Sequence, residues 1–355
     1  MDETVSDQKK PGGDTDQYCH TDGTLSDANT SFFFALTHEY ALSVVPFLTT
    51  ENVLAAVSPE RAVEAVREGF VAYARGEWAM PPKIYVPAYP NGDFRAMPAS
   101  GAGHAVLKWV TSFPANLKRG LPTVKAIVLV SDAETGMPVA VLEGSALTAL
   151  RTGAAAVLAA ETLARPDAGV AAVIGAGVNG KATARTFLAH GREVILWDVD
   201  PERVRAAAEE LGAGVAASRE QALSADIVAT VTPGREPLFA ENSLLPGQHV
   251  SLMGADGPGK CEIAPRELAL THVFCDDWTQ ASHAGELQHL VPENLIAREQ
   301  VTQLGDLLAN FAPGRRSAEE ITTFDSTGLA IQDLALALAV LERVGELEGV
   351  LELPL

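Results

Sequence analysis

Cysteine is nearly missing from this chain. Its 355 residues include three, Cys19, Cys261 and Cys275. That is an odd number with no CxxC spacing, so neither a disulfide framework nor a zinc site is indicated, and no metal is expected. Cysteine this sparse fits a reducing cytoplasm. Basic residues are also few: 26 Lys and Arg stand against 46 Asp and Glu, a net charge of −20. A chain so acidic is not expected to bind nucleic acid, because phosphate binding needs a basic surface. Lysine is the scarcer cation. Acid excess with little lysine fits either a salt-rich cytoplasm or a GC-rich genome that replaces Lys codons with Arg codons. Long apolar runs are absent too. None approaches the ~18–20 residues of a membrane span, and the stretch from Phe32 to Phe47 is broken by Thr37, His38, Glu39 and Ser43. No basic region followed by a short apolar core opens the chain, so no secretory signal is expected and the expected location is the cytoplasm. Neither a Gly-x-Ser-x-Gly elbow nor a Cys/His nucleophile arrangement occurs.

What is present is ample apolar material, 47% of residues, enough for a buried core of about two domains at roughly 100–200 residues each. Residues 1–31 are polar and aperiodic, and a disordered tail is expected through residue 46. Ser58-Pro59-Glu60 reads as a helix start, followed by apolar residues at helical spacing and a stop at Gly76. Between 79 and 147, short β-rich runs (Ile84–Val86, Val106–Val110, Lys125–Val130, Val139–Leu142) are separated by turn sequences. An Ala-rich helix follows, from Leu147 to Ala164. After Arg165-Pro166-Asp167 the pattern becomes strand–helix alternation, with strands at Val170–Ile174, Glu193–Trp197, Ile227–Val231, His249–Met253 and His272–Cys275. This rhythm predicts a doubly wound parallel sheet over 161–317.

The strongest local motif is Gly175-Ala-Gly177-Val-Asn-Gly180. It follows a predicted strand and opens a helix. The first glycine permits the turn, the second lets a pyrophosphate approach, and the third lets helix and sheet pack closely. Asp198 ends the next strand, 23 residues after Gly175. Its carboxylate can accept from both adenosine ribose hydroxyls and repels a 2′-phosphate, so NAD is the expected cofactor. Asp200 can share that role. A second motif, Gly254-Ala-Asp256-Gly-Pro-Gly259-Lys260, follows another strand and lies at the carboxyl edge of the sheet. There a carboxylate and an ammonium suit proton transfer or substrate recognition. Lys83, Arg95 and Lys108 form a basic set. Lys83 and Arg95 can clamp a substrate carboxylate. Lys108 sits in an otherwise apolar strand and is either paired or functional, since burial lowers a lysine pKa. Arg151 is borne on a helix between small residues and can reach a phosphate or carboxylate. Thr323 to Ala330 places hydroxyls and Gly328 before the last apolar helix, where they can cap the helix or face a ligand.

Together these pieces resemble the ornithine cyclodeaminase and mu-crystallin family over roughly residues 47–345. The carriers are Met80-Pro-Pro-Lys83, Arg95-Ala-Met-Pro98, Leu107-Lys-Trp-Val110, Gly120-Leu-Pro-Thr123 and Leu147-Thr-Ala-Leu-Arg151-Thr-Gly. They continue through the Gly175 loop, the Gly254–Lys260 loop and Phe324-Asp-Ser-Thr-Gly328. Several of them are most similar to the archaeal alanine dehydrogenase branch. Asn179 stands where the family usually carries Gln. The resemblance implies a Rossmann domain (161–317) plus a second α+β domain built from both chain ends (47–160 with 318–355), which binds substrate and forms a homodimer. It implies that Lys108 is an acid/base, that Asp256 is the catalytic aspartate, and that Lys83 and Arg95 hold the substrate carboxylate. Thr123, Arg151, Val178, Asn179, Asp198, Lys260 and Ser326 fall on nucleotide positions. Thr232 and Met253 complete the expected cofactor contacts, and Thr327 joins the expected substrate contacts. The implied activity is oxidative deamination of a small L-amino acid, alanine foremost, to its 2-oxo acid. The alternatives are ornithine cyclodeamination, ketimine reduction and a nucleotide-dependent binding protein.

Overall fold

A computed structural model describes residues 44–354. The expected tail lies outside them except for its last three residues, which open a strand, so regular structure begins at Val44 rather than after residue 46.

The first sheet has seven strands: β1 (Val44–Leu48), β2 (Ile84–Ala88), β3 (Gly92–Gly101), β4 (His104–Ser112), β5 (Val124–Asp132), β6 (Pro138–Glu143) and β15 (Leu351–Pro354). Their order is β15-β1-β6-β5-β4-β3-β2, antiparallel except where β1 meets β6. The pleat sorts their side chains. In β4, Val106, Lys108 and Val110 are buried while Leu107 and Trp109 are exposed. The buried face is covered by the last helix, Ala330–Leu341, on β3 and β4 and by the helix Gly144–Leu163 on β5, and α2 (Pro59–Ala74) packs against both of these helices. Ser58 caps α2 as expected, its hydroxyl accepting from the Arg61 N–H at 3.3 Å, with Pro59 in the first turn. A shorter helix, α1 (Thr50–Ala56), precedes it. The sequence pattern does not reveal β3, because Pro98 and two glycines interrupt it. Pro98 lies beyond Ala96, which faces the first residue of β2, so its missing N–H falls where β2 offers no partner.

The second sheet is wholly parallel: β7 (Val170–Ile174), β8 (Glu193–Trp197), β9 (Gly214–Val215), β10 (Ile227–Thr230), β11 (His249–Leu252), β12 (His272–Cys275), β13 (Thr302–Gln303) and β14 (Thr322–Asp325), in the order β13-β12-β14-β11-β10-β7-β8-β9. This is the predicted doubly wound arrangement. From β7 the chain moves out to β8 and β9, then returns to β10 on the other side of β7. The carboxyl ends of β7 and β10 therefore flank a topological switch point, where such sheets bind ligands.

The domain boundary expected at 317/318 needs correction. Thr322–Asp325, taken from the sequence as part of a capping segment, pairs with both β11 and β12 inside the parallel sheet. All four residues are buried, as a central parallel strand requires. The chain returns to the first sheet's helices only after Asp325. The long helix α3 (Gly144–Leu163) is buried along most of its length and packs on β5 of one sheet and β11 of the other. It joins the two halves through a continuous core. No helix among the described residues is long and apolar enough to cross a membrane.

Candidate active site

At the switch point, β7 ends in the glycine loop, and α4 (Val178–Ala189) begins at Gly177. Gly175 has φ +104°, a conformation that L side chains rarely adopt. A Cβ on Gly180 would overlap the carbonyl oxygen of Gly175, whereas one on Gly177 would meet nothing within 4 Å. So the third glycine is required for packing and the second leaves open space. No side chain caps the amino end of α4, so its first N–H groups remain available. That is the surface a pyrophosphate needs. Val178 is exposed and Asn179 half-exposed in the same turn. Asp198 follows β8 and lies against the loop, its Oδ2 accepting the Ala176 N–H at 2.7 Å and its Oδ1 facing Arg203 at 3.1 Å. Asp200, expected to share the ribose role, also caps α5 (Pro201–Leu211), its carboxylate accepting from the N–H groups of Glu202 and Arg203.

Across the crevice, the ends of β10 and β11 are tied by Glu262, a residue with no signal in the sequence. Its carboxylate accepts from the Thr230 hydroxyl (2.6 Å), from the Thr232 hydroxyl (2.7 Å) and N–H (2.9 Å), and from the Gly254 N–H (2.8 Å). Thr232 and Met253 thus stand at the expected strand ends. The Thr232 hydroxyl, however, is donated to Glu262, and Met253 is buried.

The charged centre forms where the two sheets meet. Lys108 points inward from β4, 1% exposed, with its Nζ 2.7 Å from the carboxylate of Asp333, itself fully buried on the last helix, here α6 (Ala330–Leu341). Of the two expectations for Lys108, a pairing is met by Asp333, and that pairing leaves a functional role open to the lysine. Burial lowers its pKa, Arg151 and Arg95 push the same way, Asp333 opposes, and the result is about 8. Lys83, just before β2, donates to the Thr327 carbonyl at 2.6 Å. Burial, aided by Arg95 and Arg151 against Asp256 and Asp276, brings it down to about 7. Arg95 is buried in β3. Its Nε donates to Asp93 at 2.6 Å, its Nη1 donates to Asp256 at 2.7 Å, and its guanidinium lies 5.3 Å from the Tyr85 ring. Asp256 also meets the ammonium of Lys260. Burial alone would raise the Asp256 carboxyl, but Lys260, Arg95 and Lys83 outweigh it and hold the group well below the ordinary carboxylate range. Asp256 is therefore an anion throughout the neutral range, while the nearby Lys83 and, on Asp333, Lys108 are both amines of lowered pKa.

The turn between β14 and α6 closes the site. Asp276, buried at the end of β12, accepts the N–H groups of Thr327 (2.7 Å) and Gly328 (2.8 Å) and the hydroxyls of Ser326 (3.3 Å) and Thr327 (3.2 Å). Gly328 has φ +74°, and any Cβ there would collide with the Arg151 guanidinium. Arg151 also donates to Gln332 at 3.3 Å and lies 3.6 Å from Asp333.

The structure gathers Lys83, Arg95, Lys108, Arg151, Asp256, Lys260 and Thr327 into one cluster. Several of the expected contact residues are also bound to protein groups. Ser326 gives its hydroxyl to Asp276, Lys260 binds Asp256, and Thr327 enters through its carbonyl. Thr123 stands just before β5, its carbonyl accepting from the Phe113 N–H at 2.8 Å. Asp333, Asp276, Glu262 and Asp93 escape the sequence reading. Asp333 does carry a signal, a lone acid in the run Leu329-Ala-Ile-Gln-Asp-Leu-Ala-Leu.

The chain is similar to known proteins in sequence and in fold. Residues 44–348 match the model of the ornithine cyclodeaminase/mu-crystallin family. The chain is 42% identical to an alanine dehydrogenase of Archaeoglobus fulgidus, over 83% of this chain and 94% of that one. It is 33% identical to an ornithine cyclodeaminase of Agrobacterium fabrum, over 85% and 88%. Its fold superposes on an archaeal alanine dehydrogenase dimer with bound NAD at a TM-score of 0.81 and 39% identity, covering 88% of this chain and 99% of that one. Fold and sequence agree that the chain belongs to the ornithine cyclodeaminase/mu-crystallin family.

Proposed function

We propose that this protein is an NAD-dependent L-amino-acid dehydrogenase that interconverts L-alanine with pyruvate and ammonia. The observation that carries the reading is one cluster that holds Lys108 on Asp333, Lys83 on the Thr327 carbonyl and an ionised Asp256 on Arg95 and Lys260, at the edge of a sheet whose glycine loop fits a dinucleotide. Gly175, Gly177, Gly180 and the first turn of α4 would hold the pyrophosphate. Asp198 would face the ribose and favour NAD over its 2′-phosphate form. When bound, NAD supplies a hydride acceptor for the substrate Cα. Lys83 in its cationic form, with Arg95, binds the substrate carboxylate. Lys108 in its neutral form takes a proton from the substrate ammonium and returns it in the reverse direction. Asp256 stays ionised, stabilises positive charge at the substrate nitrogen and orients the water that attacks Cα; the water's protons pass to that nitrogen, the C–N bond breaks, and the nitrogen leaves as ammonium. Fixing these groups on two sheets supplies the positioning on which such reactions depend.

Ornithine is the competing substrate. Its second ammonium needs a free carboxylate, yet Asp93 and Asp256 are held by Arg95, Asp256 again by Lys260, and Asp333 by Lys108. That supports a small side chain without charge. The test is absorbance at 340 nm with NAD and L-alanine, run beside an L-ornithine reaction assayed for proline. NADH formation with alanine is the expected result. Proline without net NADH would replace the reading with cyclodeamination. We also propose a homodimer joined through the outer face of the first sheet, where Ile84, Val86, Leu107, Trp109, Ile127 and Leu129 are exposed together. The cytoplasm is the proposed location, in keeping with the two unpaired cysteines of the described residues.

A further inference from the structure

Lys83 and Arg151 come from the first half of the chain, yet both rest on the turn Ser326–Gly328. Lys83 donates to the Thr327 carbonyl, and Arg151 packs where a Cβ of residue 328 would be. The turn does not hold itself. Its two successive N–H groups and both of its hydroxyls converge on one buried carboxylate, that of Asp276. The Oδ1 of Asp276 also accepts the Asp277 N–H at 2.8 Å, which fixes the carboxylate to the end of its own strand. We propose that Asp276 is a positioning residue for the substrate's carboxylate site. It is the strut from the parallel sheet that sets the Thr327 carbonyl and the Gly328 backbone, and through them the placement of the Lys83 ammonium and the Arg151 guanidinium. This rests on the dehydrogenase reading only in assigning Lys83 to substrate.

Asp276 acts on Lys83 through charge as well as geometry. The groups facing Lys83 are Asp256 and Asp276, which favour its charged form, and Arg95 and Arg151, which oppose it. Asp276 is faced by Lys83 and Asp277, and also by Asp325, Tyr73 and the Cys275 thiol. Removing the Asp276 charge leaves Lys83 with one anion fewer, so its ammonium loses its proton at lower pH.

The experiment compares Asp276→Asn and Asp276→Glu with the wild-type protein. Two readouts are used: KM against kcat for L-alanine with saturating NAD, and the titration of Lys83 followed by NMR of 13C-dimethylated lysines, assigned with Lys83→Arg. In Asp276→Asn the Lys83 midpoint is expected to fall by about one pH unit. KM for alanine should rise at least tenfold, a larger change than in the Kd for NADH, with kcat within threefold. Asp276→Glu, which keeps the charge and displaces the oxygens, should restore the Lys83 midpoint and only part of KM. An unmoved Lys83 midpoint in folded Asp276→Asn, or a loss confined to kcat and thermal stability, would overturn the proposal. If Asp276→Asn does not fold, Asp276→Glu decides: wild-type KM in that variant would also overturn it. The NMR titration needs no turnover. Wild-type protein inactive on alanine, with a Lys83 midpoint that shifts on mutation, would therefore sink the substrate assignment and leave Asp276 standing.

Discussion

The buried amines tie the chemistry to pH. Lys108 must be neutral to take a proton and Lys83 cationic to hold a carboxylate, and their values of about 8 and about 7 set opposed limbs. For oxidative deamination, kcat/KM should therefore rise with pH as Lys108 deprotonates and fall as Lys83 does, giving a narrow bell between about 7 and 8. Lys83→Arg keeps its charge at every accessible pH, so its profile should lose the alkaline fall and keep the acid rise. A profile identical to the wild type would remove Lys83 from substrate binding. Lys108→Ala should lower kcat by about 10²–10⁴, with the NADH Kd, read by fluorescence titration, within twofold. It also leaves Asp333 in the core with Arg151, 3.6 Å away, as its remaining cation. Losing one partner of a buried pair costs about 3–5 kcal/mol when the other is left unpaired, so with Arg151 still facing Asp333 urea unfolding should report a loss below that size. Adding Asp333→Asn should recover much of the stability and none of the turnover. At this scale the sequence was informative about Lys108, because a lysine inside the apolar strand Val106–Val110 demands an explanation. It was silent on the partner, since Asp333 lies 225 residues away and only the packing of α6 on β4 brings the two together.

Among elements, the glycine loop was the most legible. A strand, three spaced glycines and an apolar helix state one geometry in consecutive residues, and β7 and α4 stand where that pattern puts them. The helix Pro201–Leu211, closed by Gly212 in a left-handed conformation, was legible for the same reason. β3 and β14 were not. In β3 the proline and glycines hide a strand that depends on where β2 stops. In β14 the run Thr322-Thr323-Phe324 is short, and only its position between β11 and β12 makes it central. The loop offers a direct test. Gly180→Ala forces a Cβ into the Gly175 carbonyl oxygen, so the turn must open. Calorimetric NAD titration should show affinity reduced at least tenfold. Gly177→Ala meets no protein atom, so in the free protein it should leave the melting temperature unchanged while still weakening NAD, because the added methyl enters the space left for the pyrophosphate. Equal and unimpaired binding in both variants would mean that the loop does not carry the phosphates.

For the whole molecule, the same pleat that aims Lys108 into the site aims Trp109 out of it. Along β4 the buried residues belong to the active centre and the core, and the exposed ones, Leu107 and Trp109, are apolar. Across the sheet Trp109 stands opposite Ala96 and Ile127, and Leu107 opposite Leu129, so the exposed side chains join into one patch rather than scattering singly. A contiguous apolar patch is costly on a chain that is otherwise strongly acidic, and association removes it from water. In a two-fold interface every substitution counts twice. Trp109→Glu should therefore place two unpaired carboxylates in the contact and convert the dimer to a monomer at micromolar concentration. Analytical ultracentrifugation reads the mass, and circular dichroism reports whether the monomer is folded. A wild-type dimer that persists with Trp109→Glu would place the contact elsewhere. A folded monomer of reduced activity would mean that dimerisation holds β4 rigid, because Lys108 is one residue away and the strand that carries it would then have lost the packing on its outer face.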